Sequence, residues 1–171
     1  DFYRNRMLYP NAKPNVVHQR LAQWERDGKL LAVVTQNIDG LHQMAGSRNV
    51  YELHGSVHRN TCQKCGARYT LAQMLTLGDV PKCPKCGGRG KPDVVLYEEG
   101  LDPLTISGAL DAIRRADLLI VAGTSLTVYP AAAFLDEYPG NRLVLNKTAT
   151  PRDDIANLAL HEKLGEVFQN L

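Results

Sequence analysis

The sequence is short of the features that mark membrane-bound, secreted and nucleic-acid-binding proteins. No apolar stretch among its 171 residues reaches membrane-spanning length, and no secretion signal, repeat or low-complexity tract is recognisable. Its 20 basic and 18 acidic residues are interspersed and leave a formal net charge of only +2, so no basic surface for nucleic acid is indicated. We therefore expect a soluble, cytoplasmic protein with no nucleic-acid partner and no membrane partner.

What the sequence does contain is a regular alternation of apolar runs and amphipathic segments. Apolar residues make up 44% of the chain, which is enough for one packed core with a small satellite module. The predicted strands are 30–35, 118–122 and 143–145, and the predicted helices are 15–27, 103–115 and 129–137. Because continuous apolar strands that alternate with helices are typical of a parallel sheet covered on both faces, the pattern favours an α/β fold.

The alternation is interrupted by a segment rich in cysteine, glycine and lysine. Cys62 and Cys65 form one C-x2-C pair, and Cys83 and Cys86 form a second pair 17 residues later, which is a spacing typical of zinc sites. The glycines that follow each pair let the backbone turn so that both thiolates of a pair reach one tetrahedral ion. Two disulfides are the alternative, which a cytosolic setting disfavours. Four thiolates leave the ion no open position, so we expect one structural Zn²⁺.

Polar residues follow three of the predicted strands at their carboxyl ends, where open parallel sheets bind ligands. Thr35–Gly40 follows the first strand, Gly123–Ser125 the second and Asn146–Thr148 the third. Alone, the Gly-Thr-Ser sequence reads more simply as an ordinary helix cap. Three such ends on one sheet edge favour a nucleotide site, because backbone N–H groups and hydroxyls suit phosphate and ribose oxygens.

One histidine stands out as a candidate base. His54 precedes Gly55, which would let a ligand approach the backbone, and imidazole is the side chain whose ordinary pKa lies nearest neutrality. A lone histidine is more often a structural residue, and the sequence identifies no partner for His42, His58 or His161.

Five ordered motifs together closely resemble the sirtuins, NAD-dependent protein-lysine deacylases, in their bacterial form. The motifs are Thr35–His42 (TQNIDGLH), Glu52–Ser56 (ELHGS), the four cysteines, Lys91–Tyr97 (KPDVVLY) and Gly123–Leu126 (GTSL). The resemblance covers essentially the whole chain. It implies a Rossmann-like NAD-binding domain in two parts, residues 1–57 and 93–171, and an inserted zinc-ribbon domain over residues 58–92, with NAD and acyl-lysine meeting in the cleft between them.

The resemblance also implies roles for individual residues. The implied catalytic residues are His54, Asn37 and Asp39, and the implied substrate-tunnel residues are Val95 and Tyr97. The implied NAD contacts are Gln36, Asn37, Ile38 and Asp39 at the nicotinamide and its ribose, Gly123, Thr124 and Ser125 at phosphate and ribose, Asn146 at the adenosine ribose, and Leu164 near the adenine. In the implied reaction the acyl oxygen attacks the ribose as nicotinamide leaves, and His54 then acts as general base on a ribose hydroxyl. The products are free lysine, nicotinamide and O-acyl-ADP-ribose.

The sequence departs from the sirtuin pattern in three places. The family's Gly-Ala-Gly-rich phosphate loop and the Gly-Ile-Pro-Asp-Phe-Arg stretch after it are absent, so we expect a chain that begins at Asp1 to show no measurable deacylase activity. Glu98 stands where many members have Gly, which adds a charge beside the acyl-lysine entrance. Tyr3 and Arg6 have the spacing used by members that remove succinyl or malonyl groups, so an acyl carboxylate is a possible ligand of this pair.

Two other functions stay open at the level of the sequence. A mono-ADP-ribosyltransferase would cleave the same cofactor and pass the ribose to a protein acceptor. A non-catalytic zinc-ribbon interaction module on a decayed nucleotide fold is the second alternative, against which the intact Asn37, Asp39 and His54 argue.

Overall fold

The computed structural model describes residues 3–129 and 131–171, which form two compact units. The cysteine-bearing unit comprises the segments up to Lys13, Thr35–Leu41 and Glu52–Leu101. The parallel-sheet unit comprises Pro14–Val34, His42–Tyr51 and Asp102–Leu171. No helix in either described part is long and apolar enough to cross a membrane.

Helices and strands alternate along much of the chain, and three strands follow one another directly between residues 50 and 70. The strands are β1 (Val33–Thr35), β2 (Val50–Glu52), β3 (Gly55–Cys62), β4 (Arg68–Thr70), β5 (Gly90–Val94), β6 (Leu118–Ala122), β7 (Asn141–Leu145) and β8 (Leu158–Leu160). The α-helices are α1 (Val16–Arg26), α2 (Leu41–Ala45), α3 (Leu71–Leu75), α4 (Pro103–Arg115) and α5 (Leu164–Gln169). A π-helical turn spans Tyr3–Met7, and 3-10 turns span Ala131–Leu135 and Asp153–Ile155.

Side-chain caps determine where the two longest helices begin. The Asn15 side chain accepts hydrogen bonds from the backbone N–H groups of Val17 and His18, which otherwise have no partner at the start of α1. Asp102 does the same for Thr105 at the start of α4, where Pro103 supplies a backbone angle already suited to a helix. The predicted helices over 15–27 and 103–115 are therefore confirmed nearly to the residue.

In the parallel-sheet unit, three parallel strands lie in the order β6-β7-β8. Val121, Leu126, Leu135 and Val144 form the buried cluster against this sheet. Helices α1 and α5 pack together, with the rings of Trp24 and Phe168 5.5 Å apart between centroids. The carboxyl ends of β6 and β7 lie side by side because Val121 pairs with Val144 and Ala122 with Leu145.

In the cysteine-bearing unit, β3 is the central strand of an antiparallel sheet of order β4-β3-β5. Its register with β5 breaks in the middle: Ser56 pairs with Asp93 and Asn60 with Pro92, so Val57–Arg59 form a bulge with no opposing residues on β5. The Asn60 side chain is 1% exposed and donates to the Val57 carbonyl, which closes this bulge from inside.

Three sequence predictions need correction. The strand expected over 30–35 begins only at Val33, and Leu31 before it is 43% exposed, so the apolar run is longer than the strand that it contains. The helix expected over 129–137 is a 3-10 turn at Ala131–Leu135, and residue 130 of that prediction lies outside the described residues. The three polar strand ends were expected on one sheet edge, but β1 pairs with β2 in a sheet of its own within the described residues, and only the ends of β6 and β7 share a sheet. Apolar runs identify strands without identifying their neighbours.

Candidate active site and zinc site

The cysteines converge as their spacing predicts. Their four Sγ atoms all lie within 4.8 Å of one another. Cys62 and Cys86 approach to 3.5 Å between Sγ atoms, and Cys65 and Cys83 to 3.6 Å. Four sulfur ligands placed tetrahedrally about one zinc ion lie about 3.8 Å apart, so this donor set fits one structural Zn²⁺.

Tight turns and a tyrosine shape this cluster. The N–H groups of Gly66 and Gly87 donate to the carbonyls of Cys62 and Cys83, which folds each C-x2-C pair into a knuckle. The hydroxyl of Tyr69 lies 3.0 Å from the Cys83 sulfur, and a donated hydrogen bond from it lowers the pKa of Cys83 to about 6. The same bond raises the pKa of Tyr69 to about 12. Tyr69 therefore favours the thiolate form that zinc requires.

Backbone hydrogen bonds connect the segment 36–39, which carries four of the predicted cofactor contacts, to the chain around the start of β3. Leu53 donates its N–H to the Thr35 carbonyl at 2.9 Å, and Val57 donates to the Ile38 carbonyl at 3.1 Å. These two backbone bonds lie on either side of His54, so the segment and the predicted base are brought together within one unit.

The tautomer of His54 follows from its one partner. Its Nδ1 lies 3.0 Å from the carbonyl oxygen of Gln36. A carbonyl oxygen only accepts, so Nδ1 carries the hydrogen, and Nε2 of the neutral ring is the atom with a free lone pair. Nε2 has no hydrogen bond to any part of the chain that the structure describes. This is the protonation pattern that a general base needs.

A close backbone approach holds His54 in place from the other side. The N–H of Val95 donates to the His54 carbonyl at 3.0 Å. Gly55 adopts φ +75°, and a Cβ at that position would lie 1.9 Å from the Asp93 carbonyl oxygen. Only glycine allows β5 to lie this close to the residue after the predicted base.

The two other predicted catalytic residues differ in how they are held. One carboxylate oxygen of Asp39 accepts at 3.0 Å from the N–H of Leu41, the first residue of helix α2, and its second oxygen has no hydrogen bond within the described residues. Asn37 is exposed, and its backbone N–H donates to the Thr35 hydroxyl at 3.1 Å. Its amide has no hydrogen bond within the described residues.

A second cluster of predicted cofactor contacts gathers in the parallel-sheet unit. Gly123 has φ +64°, donates its N–H to the carbonyl of Leu145, and would bring a Cβ within 3.0 Å of the Leu164 side chain. Asn146 follows Leu145 directly, and its side-chain amide donates to the Thr148 carbonyl. The structure therefore brings the ends of β6 and β7 and the start of α5 together, as a nucleotide site at the carboxyl edge of a parallel sheet requires.

The hydroxyls in this second cluster are partly engaged. Thr124 accepts from the N–H of Leu126 at 3.2 Å, and the hydroxyls of Ser125 and Thr127 lie 2.7 Å apart. No helix begins at this loop; Leu126 instead adopts φ +56° and turns the chain. The simpler explanation of Gly-Thr-Ser as a helix cap therefore does not describe it.

The predicted substrate residues lie in the cysteine-bearing unit. Val95 is half-buried beside the His54 backbone, whereas Tyr97 is fully exposed. The hydroxyl of Tyr3 donates to Asn60 at 3.2 Å, and burial raises the pKa of Tyr3. Arg6 is exposed and has no ion pair with the described residues.

Comparison with known proteins identifies the family of this chain. The sequence profile of the Sir2 family matches residues 1–130. The chain belongs to the Sir2 family. Its sequence is 54% identical to an NAD-dependent protein deacetylase of Clostridium acetobutylicum, over all of this chain and 71% of that protein. It is 56% identical to one of Clostridium perfringens, over 98% of this chain and 70% of that protein.

Solved structures agree with the sirtuin assignment. A complex described as Sir2 with p53 peptide and NAD⁺ matches with a TM-score of 0.91 at 38% identity, covering 99% of this chain and 73% of the other. A Sir2 complex with a propionylated peptide matches with a TM-score of 0.92 at 39% identity, covering 99% and 76%. These matches confirm the predicted α/β fold of this sirtuin, and the four converging cysteines confirm the predicted cluster for one zinc ion.

The sequence reasoning missed residues that support this site without belonging to a family motif. Tyr69, Asn60 and His58 each contact a motif residue or close the bulge beside one. Their only sequence signal is their place a few residues from Cys62 or His54, which does not distinguish them from ordinary strand residues.

Proposed function

We propose that this chain acts as an NAD-dependent protein-lysine deacetylase that releases nicotinamide and transfers the acyl group to ADP-ribose. One observation carries the proposal: His54 donates through Nδ1 to the Gln36 carbonyl and leaves Nε2 available beside the Gln36–Asp39 segment. The 54% identity to a deacetylase supports it independently.

His54 is the proposed general base. NAD supplies the ribose that receives the acyl group and the nicotinamide that leaves. The fixed Nδ1–H bond orients the ring and makes Nε2 the atom that accepts a proton from a ribose hydroxyl. Asn37 and Asp39 are proposed to orient the nicotinamide end, since an exposed amide and a free carboxylate oxygen suit a carboxamide and developing positive charge.

The remaining contacts are proposed from their positions. Gly123, Thr124 and Ser125 would hold phosphate and ribose oxygens, and Asn146 and Leu164 the adenosine end. Val95 and Tyr97 would contact acyl-lysine, and Tyr3 with Arg6 would take an acyl carboxylate. The four cysteines would hold one Zn²⁺ with a structural role, because a closed thiolate site has no position for substrate. A cytoplasmic location is proposed because a reducing compartment preserves such thiolates.

The test uses the protein, an acetyl-lysine peptide and NAD. We expect peptide-dependent release of nicotinamide and O-acetyl-ADP-ribose, reduced about 100-fold or more in His54→Ala. His18→Ala is the control, because His18 caps the start of α1 in the other unit. If label from NAD becomes attached to a protein and no O-acetyl-ADP-ribose forms, the protein is a mono-ADP-ribosyltransferase instead. No NAD-dependent stabilisation against heat would refute both enzymatic functions.

A further inference from the structure

His58 lies four residues after the proposed base and points at the same segment. Its Nε2 lies 2.9 Å from the backbone carbonyl oxygen of Asp39. Because that oxygen only accepts, Nε2 carries the hydrogen and donates it. His54 and His58 therefore each hold one carbonyl of the segment, at Gln36 and at Asp39.

The ring of His58 also fills the space beside the turn that follows Asp39. Gly40 has φ +71°, and a Cβ there would lie 2.8 Å from the His58 Cδ2 atom. The ring packs against the bare glycine backbone, so the hydrogen bond and the contact restrain the same turn. Restraining it also restrains Asp39 and the backbone of Asn37.

The bulge in β3 explains why the His58 side chain reaches this turn. Residues of a regular strand alternate between faces, and a bulge re-aims a side chain. Val57–Arg59 lack opposing residues on β5, and the N–H of His58 donates instead to the hydroxyl of Ser56, which is 2% exposed. The Asn60 amide fixes the Val57 carbonyl in the same bulge. The bulge is thus internally bonded and presents His58 in one direction.

We propose that His58 is a positioning residue that holds the Asn37–Gly40 turn in the conformation that binds NAD. This inference rests on the proposed function, and it concerns a residue that does not itself touch the reacting atoms. Losing the bond would lower the fraction of chains with an ordered turn, which weakens the apparent affinity for NAD without changing the chemistry once NAD is bound.

The test compares two amide substitutions of similar polarity. In His58→Gln the amide nitrogen occupies a depth close to that of Nε2 and can still donate to the Asp39 carbonyl. In His58→Asn the amide nitrogen lies nearer the backbone and cannot reach it. Since His58 is exposed, neither variant is expected to unfold the unit, and zinc content and unfolding midpoint serve as checks.

We expect His58→Asn to raise KM for NAD about 5-fold with kcat within about 2-fold of wild type, the effect of one lost hydrogen bond. His58→Gln should restore most of the difference. Hydrogen exchange supplies a readout that needs no activity: backbone amides of residues 37–41 should exchange about 5-fold faster in His58→Asn than in His58→Gln.

The outcomes separate this inference from the proposed function. Equal exchange rates in the two variants, or a fall in kcat with unchanged KM, would overturn the role of His58. Faster exchange in His58→Asn together with no NAD consumption by the wild-type protein would support the restraint and refute the proposed activity.

Discussion

Replacing Gly55 with alanine tests the closest backbone contact at the candidate active site. The new Cβ would lie 1.9 Å from the Asp93 carbonyl oxygen, although real Cβ atoms essentially never approach such an atom within 3.0 Å. Strand β5 must therefore move by more than 1 Å. The left-handed conformation at φ +75° adds a cost of about 1–2 kcal/mol for any residue with a Cβ. Overpacking of this kind costs about 1–3 kcal/mol more.

Two other glycines of the same unit separate these contributions. Gly100 has open space around its Cβ position and no left-handed angle, so Gly100→Ala should change the free energy of unfolding by less than about 0.5 kcal/mol. Gly78 has open space but φ +85°, so Gly78→Ala should cost about 1–2 kcal/mol. Gly55→Ala should cost about 2–5 kcal/mol, the sum of conformation and clash.

Urea denaturation of the three variants measures these free energies, and steady-state deacetylation measures the consequence for His54. A displacement of about 1 Å at a catalytic group reduces the rate about 100-fold, so Gly55→Ala should lose activity while Gly78→Ala retains it. If Gly55→Ala costs no more stability than Gly78→Ala, the close approach of β5 is wrong. If it is destabilised but fully active, His54 is not held by this contact.

Two further predictions concern the zinc site and helix α4. Tyr69→Phe removes the hydrogen-bond donor to Cys83, so zinc should pass to a chromophoric chelator up to about 10-fold faster than from the wild type. Tyr9→Phe, at an exposed site, is the control and should leave the transfer rate unchanged. Equal rates for the two variants would refute the role of Tyr69. Hydrogen bonds from the hydroxyl and N–H of Thr105 lower the pKa of Asp102 below its ordinary 3.8. The charged Asp102 cap therefore stabilises the fold above pH 3.8, and this stabilisation is lost as the pH falls through the lowered pKa. Asp102→Ala should therefore destabilise at pH 7, and the difference from wild type should shrink in acid denaturation series; a constant difference would contradict the cap.

Local features of the chain were predictable where their cause is local. Asn15 and Asp102 begin helices through bonds to backbone groups two or three residues away, so sequence spacing is enough to place them. The helix expected over 129–137 is instead a 3-10 turn, because a helical prediction does not say whether each N–H bonds to the carbonyl three or four residues back. The elements β8 and α5 were not predicted from the sequence.

By itself the sequence determined the zinc ligands and the motif residues of the candidate active site. Two C-x2-C pairs can reach one ion whatever surrounds them, and a motif keeps its residues within a few positions of one another. The tertiary structure decided which atoms of those residues are free to act. The Nδ1 partner of His54 lies 18 residues earlier in the chain, the partner of His58 lies 19 residues earlier, and the carbonyl that excludes any side chain at Gly55 belongs to another strand. Such contacts depend on how β3 bulges and on what packs beside it, and no spacing within the sequence records either.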